Sequence, residues 1–348
     1  YEIVVSDWSS DVCSSDLVNG FSDTLSQYVW HPEIQAHISN NIATHTATHS
    51  ATPITPDVSP WHFQKMVWQA SLHYQALWNA RSDFAHYQHH RASQPSYYFV
   101  YWIRSWLRKL KQSGPCRRLQ QSLIGNKTSH PYFFVPLQHD GDAQITHHSH
   151  FADNAEFVHS VMRSFARHAP AASLLVFRQH PHVRGGAGHA QLISALAQEL
   201  GIGPRVFHMV EGDTPDLAQH AAGVVLINST VGLQALERGA PLMALGDALY
   251  KQPQLTFNGE LDQFWHQARA ACPKDTACFM AQMKNLTQAP ASVYAWRNEP
   301  LLWDAVLAQA ASNTPQKSAS PMPKLLPMPK PAIGRVATLS NTTAHPSP

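Results

Sequence analysis

Four short polar segments each follow an apolar run of strand length, and they hold the side chains best able to do chemistry. Gln138-His139-Asp140-Gly141-Asp142-Ala143-Gln144 places two carboxylates on a loop. Such a pair can hold a metal, act as a base or attack an anomeric carbon, although Asp and Gly in a loop also simply make turns. His180-Pro181 follows Leu174-Leu175-Val176-Phe177-Arg178-Gln179 directly. Pro181 biases His180 toward extended backbone, and an imidazole held there can donate a hydrogen bond to a phosphate. Asn228-Ser229-Thr230, all N-cap residue types, close the run Val224-Val225-Leu226-Ile227. Gly246-Asp247-Ala248-Leu249-Tyr250, with Gln254-Leu255-Thr256 behind it, forms a loop able to close over a ligand. His147, His148 and His150 lack the HExxH layout that supplies metal ligands and base together, and read as a surface cluster.

These side chains act together only if regular elements carry them to one edge. After Thr230, the residues Val231, Ala235 and Leu236 recur at helical spacing and Gly239 supplies a stop. Strand, polar turn and helix then open a helix N-terminus at the carboxyl end of a sheet, where α/β proteins bind anions. Further strands are expected over 132–137, 174–177, 206–210, 224–228 and 242–245, with a polar loop over 138–150. Helices are expected around Val158-Val161-Met162-Phe165, around Leu192-Leu196-Leu200 up to Gly201, and over 216–220, 279–286 and 295–308. Strands that alternate with helices at this rhythm require right-handed crossovers and a parallel sheet.

A chain of 348 residues has material for about two domains. Charged residues reach 14% against a typical level of about 25%, while His is abundant at 23. The formal net charge of +2 creates no broad basic field, so composition does not point to nucleic acid. Cys13, Cys116, Cys272 and Cys278 are scattered, make no CxxC pair and read as reduced thiols. No apolar run reaches the ~18–20 residues of a membrane span, and the N-terminus lacks a signal-peptide layout. The expectation is a cytoplasmic protein. Trp102, Ile103, Trp106 and Leu107 nevertheless alternate with Arg104, Arg108, Lys109 and Lys111. A helix of that kind can lie on an anionic lipid surface or pack its Trp residues inward, and inward packing is the commoner arrangement.

Residues 1–17 resemble translated sequencing-adapter sequence and are set aside from fold reasoning. Residues 18–130 read as the remnant of an N-terminal region. They comprise an exposed Thr-, Ala-, His- and Pro-rich linker over 42–60 and an aromatic-rich helical stretch over 61–121. Residues 131–312 form the expected α/β domain with its C-terminal helices, and 313–348 a disordered Pro-rich tail.

In order, these segments resemble the capsule polysaccharide biosynthesis and export family, of the KpsS and KpsC type. The resemblance is carried by Phe134-Val135-Pro136-Leu137-Gln138 with Asp142, Ser164-Phe165, His168-Ala169-Pro170 and His180-Pro181. It continues through Ile227-Asn228-Ser229-Thr230-Val231-Gly232-Leu233 and ends with Leu245-Gly246, Tyr250, Leu255-Thr256, Leu261-Asp262 and Phe264-Trp265. It implies a GT-B-like architecture, two Rossmann-type domains facing across a cleft, with the N-terminal partner domain truncated here. It also implies a retaining glycosyltransferase that moves Kdo, an eight-carbon acidic keto-sugar, from CMP-Kdo in a β linkage. The implied acceptor is a phosphatidylglycerol-based lipid linker, within a capsule biosynthesis and export complex at the inner membrane. Neither a metal nor a cofactor beyond the donor is implied.

Under that resemblance Asp142 is the nucleophile, Gln138 orients it or the sugar hydroxyls, and His180 donates to the leaving phosphate. His180, Pro181, Asn228, Ser229, Thr230, Gly232 and Tyr250 form the expected donor-binding set. Two other readings stay open on the same architecture. One is a sugar-nucleotide epimerase, which needs no acceptor. The other is an export scaffold that binds polysaccharide or lipid without turnover.

Overall fold

The five apolar runs become strands because their β-branched and aromatic residues fit a pleated surface covered on both sides. The computed structural model describes residues 95–125, 130–140, 142–186 and 188–287, with isolated positions between 42 and 83. The strands are β1 (Tyr132–Pro136), β2 (Leu174–Arg178), β3 (Val206–Met209), β4 (Gly223–Leu226) and β5 (Leu242–Ala244). They lie in the order β3-β2-β1-β4-β5, and every pairing is parallel. The continuous helices are α1 (Pro95–Ile124), α2 (Ala143–His147), α3 (Asn154–His168), α4 (Ala190–Glu199), α5 (Thr214–Gln219), α6 (Val231–Glu237), α7 (Leu261–Gln267) and α8 (Pro273–Thr287). The expected α/β class with a Rossmann-type parallel sheet is therefore the observed one.

The two-residue period of each strand sorts its side chains into two cores. Tyr132, Phe134, Val224, Leu226 and Leu242 face the first, together with Leu217 of α5, Leu236 of α6, Phe279 of α8, and Cys116 and Leu123 of α1. Phe133, Val135, Leu175, Phe177 and Val225 face the second, under Phe157, Val161 and Phe165 of α3, Leu196 of α4, and Phe264 and Trp265 of α7.

Three local expectations are corrected. The loop over 138–150 contains α2, because Asp142 caps it by accepting from Gln144 N at 2.9 Å. The fourth strand ends at Leu226 rather than residue 228. Ile42, at the start of the expected linker, is helical and wholly buried in the first core. Helix α7 has only seven residues, too few for a periodic signal to declare it. It docks on α3 through residues quoted above as family segments. Trp265 Nε1 donates to Ser164 Oγ (2.7 Å), Ser164 Oγ donates to Asp262 Oδ1 (2.5 Å), and His168 Nε2 lies 3.1 Å from Asp262 Oδ2. These matches hold the fold together and stand away from the sheet's carboxyl edge.

Helix α1 buries Ser105, Cys116 and Leu123, whereas its two Trp residues face outward, Trp102 at 47% and Trp106 at 60% exposure. Inward packing of these rings, the commoner arrangement for such a helix, is not what this chain does. Among the described residues no helix is long and apolar enough to cross a membrane. The adapter-like segment, nearly all of the linker, the helix expected over 295–308 and the tail after 313 lie outside the described residues.

Candidate active site at the carboxyl edge of the sheet

Strand order reverses between β1 and β4, since β1 leads to β2 on one side and the chain returns to β4 on the other. In an open parallel sheet this reversal leaves a crevice beyond the carboxyl ends of the two strands. Gln138, two residues past β1 and 6% exposed, meets Asn228, two residues past β4, across it. Gln138 Nε2 donates to Asn228 Oδ1 at 3.0 Å, and Asn228 N donates back to Gln138 Oε1 at 3.3 Å. The same Gln138 amide donates to Asp142 Oδ2 at 3.2 Å. Asn228 Nδ2 donates to the Gln144 carbonyl at 2.8 Å and the His148 carbonyl at 3.1 Å. One polar network thus ties the loop after β1, helix α2 and the loop after β4, and it presents the Asp142 carboxylate at the rim.

The second carboxylate of the loop goes elsewhere. Asp140 Oδ1 accepts from Asn154 Nδ2 at 2.8 Å and lies 3.3 Å from His189 Nε2 at the start of α4. Asn154 is fully buried and donates also to the Gln138 carbonyl at 2.9 Å, so both carboxylates are positioned from one point. His180, past β2, meets His139, past β1, edge to face with ring centroids 6.2 Å apart. The expected site residues on three strands therefore share one edge, with His139, Asp140, Asn154 and His189 added to them. Their assembly had no signal in the chain beyond Asp140 standing beside Asp142. Pro181 opens a 3-10 turn, Pro181–Val183, directly after His180.

The residues around α6 divide by what they already bind. Ser229 Oγ accepts from Val231 N (3.2 Å), Ser229 O from Gly232 N (2.9 Å), and Thr230 O from Leu233 N (3.0 Å). The first N–H groups of α6 are consumed locally, so the expected open helix N-terminus is not available to an anion. Thr230 is exposed and its side chain makes no capping hydrogen bond. Tyr250 is 3% exposed and its hydroxyl donates to Ser229 O at 2.5 Å, which burial matches by raising its pKa. A Cβ on Gly232 would collide with the Tyr250 ring, so this glycine lets the tyrosine approach. Tyr250 and Gly232 brace the turn that carries Ser229 from within.

His208 on β3 lies behind this edge. Burial, and secondarily the neighbouring His189, lowers its pKa from 6.5 to about 4, and its Nε2 has no partner among the described residues. The imidazole is therefore buried neutral. Because the unfolded chain binds this proton more readily, stability is whole above pH 6.5 and is lost as pH falls toward 4, by up to about 3 kcal/mol. Urea unfolding at pH 7, 6 and 5 is expected to show that decline. His208→Gln is expected to flatten it, and an unchanged slope refutes the assignment.

Among the described residues no group of three or more His, Cys, Asp or Glu is placed to hold a metal. A cavity of about 610 Å³ opens elsewhere, between α1 and the loop after β3, lined by Lys109, Arg117, Gln120, Glu211 and Asp213.

The sequence model described as "Capsule polysaccharide biosynthesis protein" matches residues 44–294, which includes every element of the sheet and its carboxyl edge. The chain belongs to that family. Among curated relatives it is 37% identical to the capsule polysaccharide export protein KpsS of Escherichia coli, over 58% of this chain and 51% of KpsS. It is 30% identical to the capsule polysaccharide modification protein LipB of Neisseria meningitidis, over 67% of this chain and 56% of LipB. The chain thus spans about half the length of the capsule proteins it matches. Among solved structures, Thermosulfurimonas dismutans KpsC, a β-Kdo 2,7 transferase, aligns with 48% of this chain and 51% of its own at 20% identity and a TM-score of 0.32. The capsule family match includes Gln138, Asp142 and Asn228, which hydrogen-bond one another, as well as His180 and Ser229.

Proposed function

We propose that this domain binds CMP-Kdo for a retaining β-Kdo glycosyltransferase of capsule biosynthesis, with Asp142 as the nucleophile. Membership of the capsule biosynthesis family supports a role in making the capsule. The position of Asp142 at the carboxyl edge of the sheet supports its choice as nucleophile. The observation that carries the reading is the Gln138 amide, which holds Asp142 and Asn228 together across the strand-order reversal. An amide donor fixes the direction of the carboxylate it holds, which an attacking oxygen requires.

In the reaction, an Asp142 carboxylate oxygen forms a bond to the anomeric carbon of Kdo as the bond from that carbon to the CMP phosphate oxygen breaks. The electron pair leaves with CMP, and His180 donates a hydrogen bond to the departing phosphate, offsetting its charge. The acceptor hydroxyl, on a phosphatidylglycerol-based lipid linker, then forms its bond to the anomeric carbon as the bond to Asp142 breaks. The hydroxyl proton passes to the released Asp142 carboxylate or to water, and two inversions leave the β configuration retained. Thr230, exposed beside Ser229, donates to the sugar carboxylate or the phosphate. No step calls for a metal or a further cofactor. In the GT-B arrangement a second Rossmann-type domain closes the crevice from the acceptor side.

Calorimetric titration of the chain with CMP tests the binding half of this reading. Saturable heat is expected, with affinity reduced about ten-fold or more in His180→Ala through loss of a charge-assisted hydrogen bond. Absence of any CMP binding would falsify donor recognition and favour an export scaffold.

A further inference from the structure

We propose that the outward face of α1 is a docking surface for an anionic lipid bilayer. Trp102, Ile103, Trp106, Leu107 and Leu110 are exposed at 47, 42, 60, 53 and 59%. At about 100° per residue they form one stripe along the helix, on the side away from buried Ser105, Cys116 and Leu123. A contiguous patch of large apolar groups on a protein surface marks an interaction site.

Charge identifies the occupant. Helix α1 carries Arg104, Arg108, Lys109, Lys111, Arg117 and Arg118 and not one Asp or Glu. On the helical wheel Arg104, Lys111 and Arg118 flank the stripe on one side and Lys109 on the other. An apolar stripe edged on both sides by cations, on a helix without a single carboxylate, has the make-up of a helix that lies in an anionic membrane interface. Its long basic side chains extend along the apolar face and reach lipid phosphates, while Trp rings settle at headgroup depth. Each cation brought near an anionic surface strengthens binding about five-fold.

Arg108 fixes the helix to the rest of the fold. Its Nη1 donates to the Arg184 carbonyl at 3.0 Å and makes a second, shorter bond to the Gly186 carbonyl. A Cβ on Gly185 would strike Tyr101 of the same helix. The face of α1 opposite the stripe is therefore held against the turn that follows His180, which leaves the stripe pointing outward. The surface itself stands independently of the donor chemistry.

The test is co-sedimentation of the full chain with phosphatidylcholine vesicles that either contain or lack phosphatidylglycerol. Binding is expected only with phosphatidylglycerol, weakening as salt rises, with a blue shift of Trp emission. Trp106→Ser with Leu110→Ser, and separately Lys109→Glu with Lys111→Glu, are each expected to weaken binding about ten-fold or more. All four positions are exposed, so melting temperature and CMP titration are expected to stay unchanged. The proposal is overturned if the wild-type chain ignores phosphatidylglycerol or if both double variants bind normally. It is also overturned if the chain dimerises without lipid and Trp106→Ser/Leu110→Ser abolishes the dimer, since the stripe then belongs to a second copy. Vesicle binding without CMP binding would remove the donor reading and leave this surface intact.

Discussion

Asp142→Asn is expected to lower Kdo transfer by ~10⁴-fold or more, the scale on which an enzyme feels the loss of its nucleophile. The substitution is informative because it separates the helix cap that Asp142 forms from the attack proposed for it. Asp142 caps α2 through Gln144 N and accepts from Gln138 Nε2. Asn is as good an N-cap as Asp, so the helix loses little. What Asn cannot do is form the covalent bond to the anomeric carbon. Asp142→Ala, by contrast, is expected to cost ~1 kcal/mol of stability as well, through the lost cap. Intact-protein mass spectrometry with CMP-Kdo alone is expected to show a sugar adduct on the wild-type protein and none on Asp142→Asn. If Asp142→Asn turns over at a normal rate, Asp142 is a helix cap and the nucleophile lies elsewhere.

The largest effect on stability is expected at Asn228. Its amide donates to two backbone carbonyls and accepts from Gln138, joining segments that are 80 to 90 residues apart in sequence. Asn228→Ala leaves those carbonyls and the Gln138 amide short of partners in a half-buried place, at a cost of ~2–4 kcal/mol. Ser229→Ala, one residue on, loses only the bond to Val231 N and is expected to cost ~1 kcal/mol. Urea denaturation of the two variants side by side measures the contrast. Equal, small losses would mean that the network across the strand-order reversal does not hold the site. Under the proposed mechanism Asn228 is a positioning residue acting on Asp142 through Gln138, and its variant is also expected to slow transfer.

Much of this architecture is legible because the signals are local. Val158, Val161, Met162 and Phe165 lie on one helical face and are all buried, as their spacing requires. Gly201 and Gly239 adopt positive φ of 69° and 71° after α4 and α6, the conformation that ends a helix. The polar segments after β1, β2 and β4 end at one edge because parallel strands joined by right-handed crossovers all point the same way.

The use of each polar residue was not legible. Asn228, Ser229 and Thr230 are alike as capping types. One joins two loops, one closes the first turn of α6, and one stands exposed. Tyr250 reads as a ligand contact in a closing loop, yet its ring lies buried against Gly232. The pairing of Asp140 with His189 spans two separate segments, and nothing in either predicts the other. The direction of the α1 stripe was equally hidden, since its periodicity is the same whether the Trp residues face the core or face outward.

The chain by itself determined the alternation of strands and helices, the two-sided core and the family, because periodicity, capping types and motif order are properties of neighbouring residues. Only the tertiary structure decided which polar groups meet, which are consumed as scaffolding and which face of α1 stays uncovered. Those outcomes depend on strand order, and strand order brings together residues with no local relation to one another.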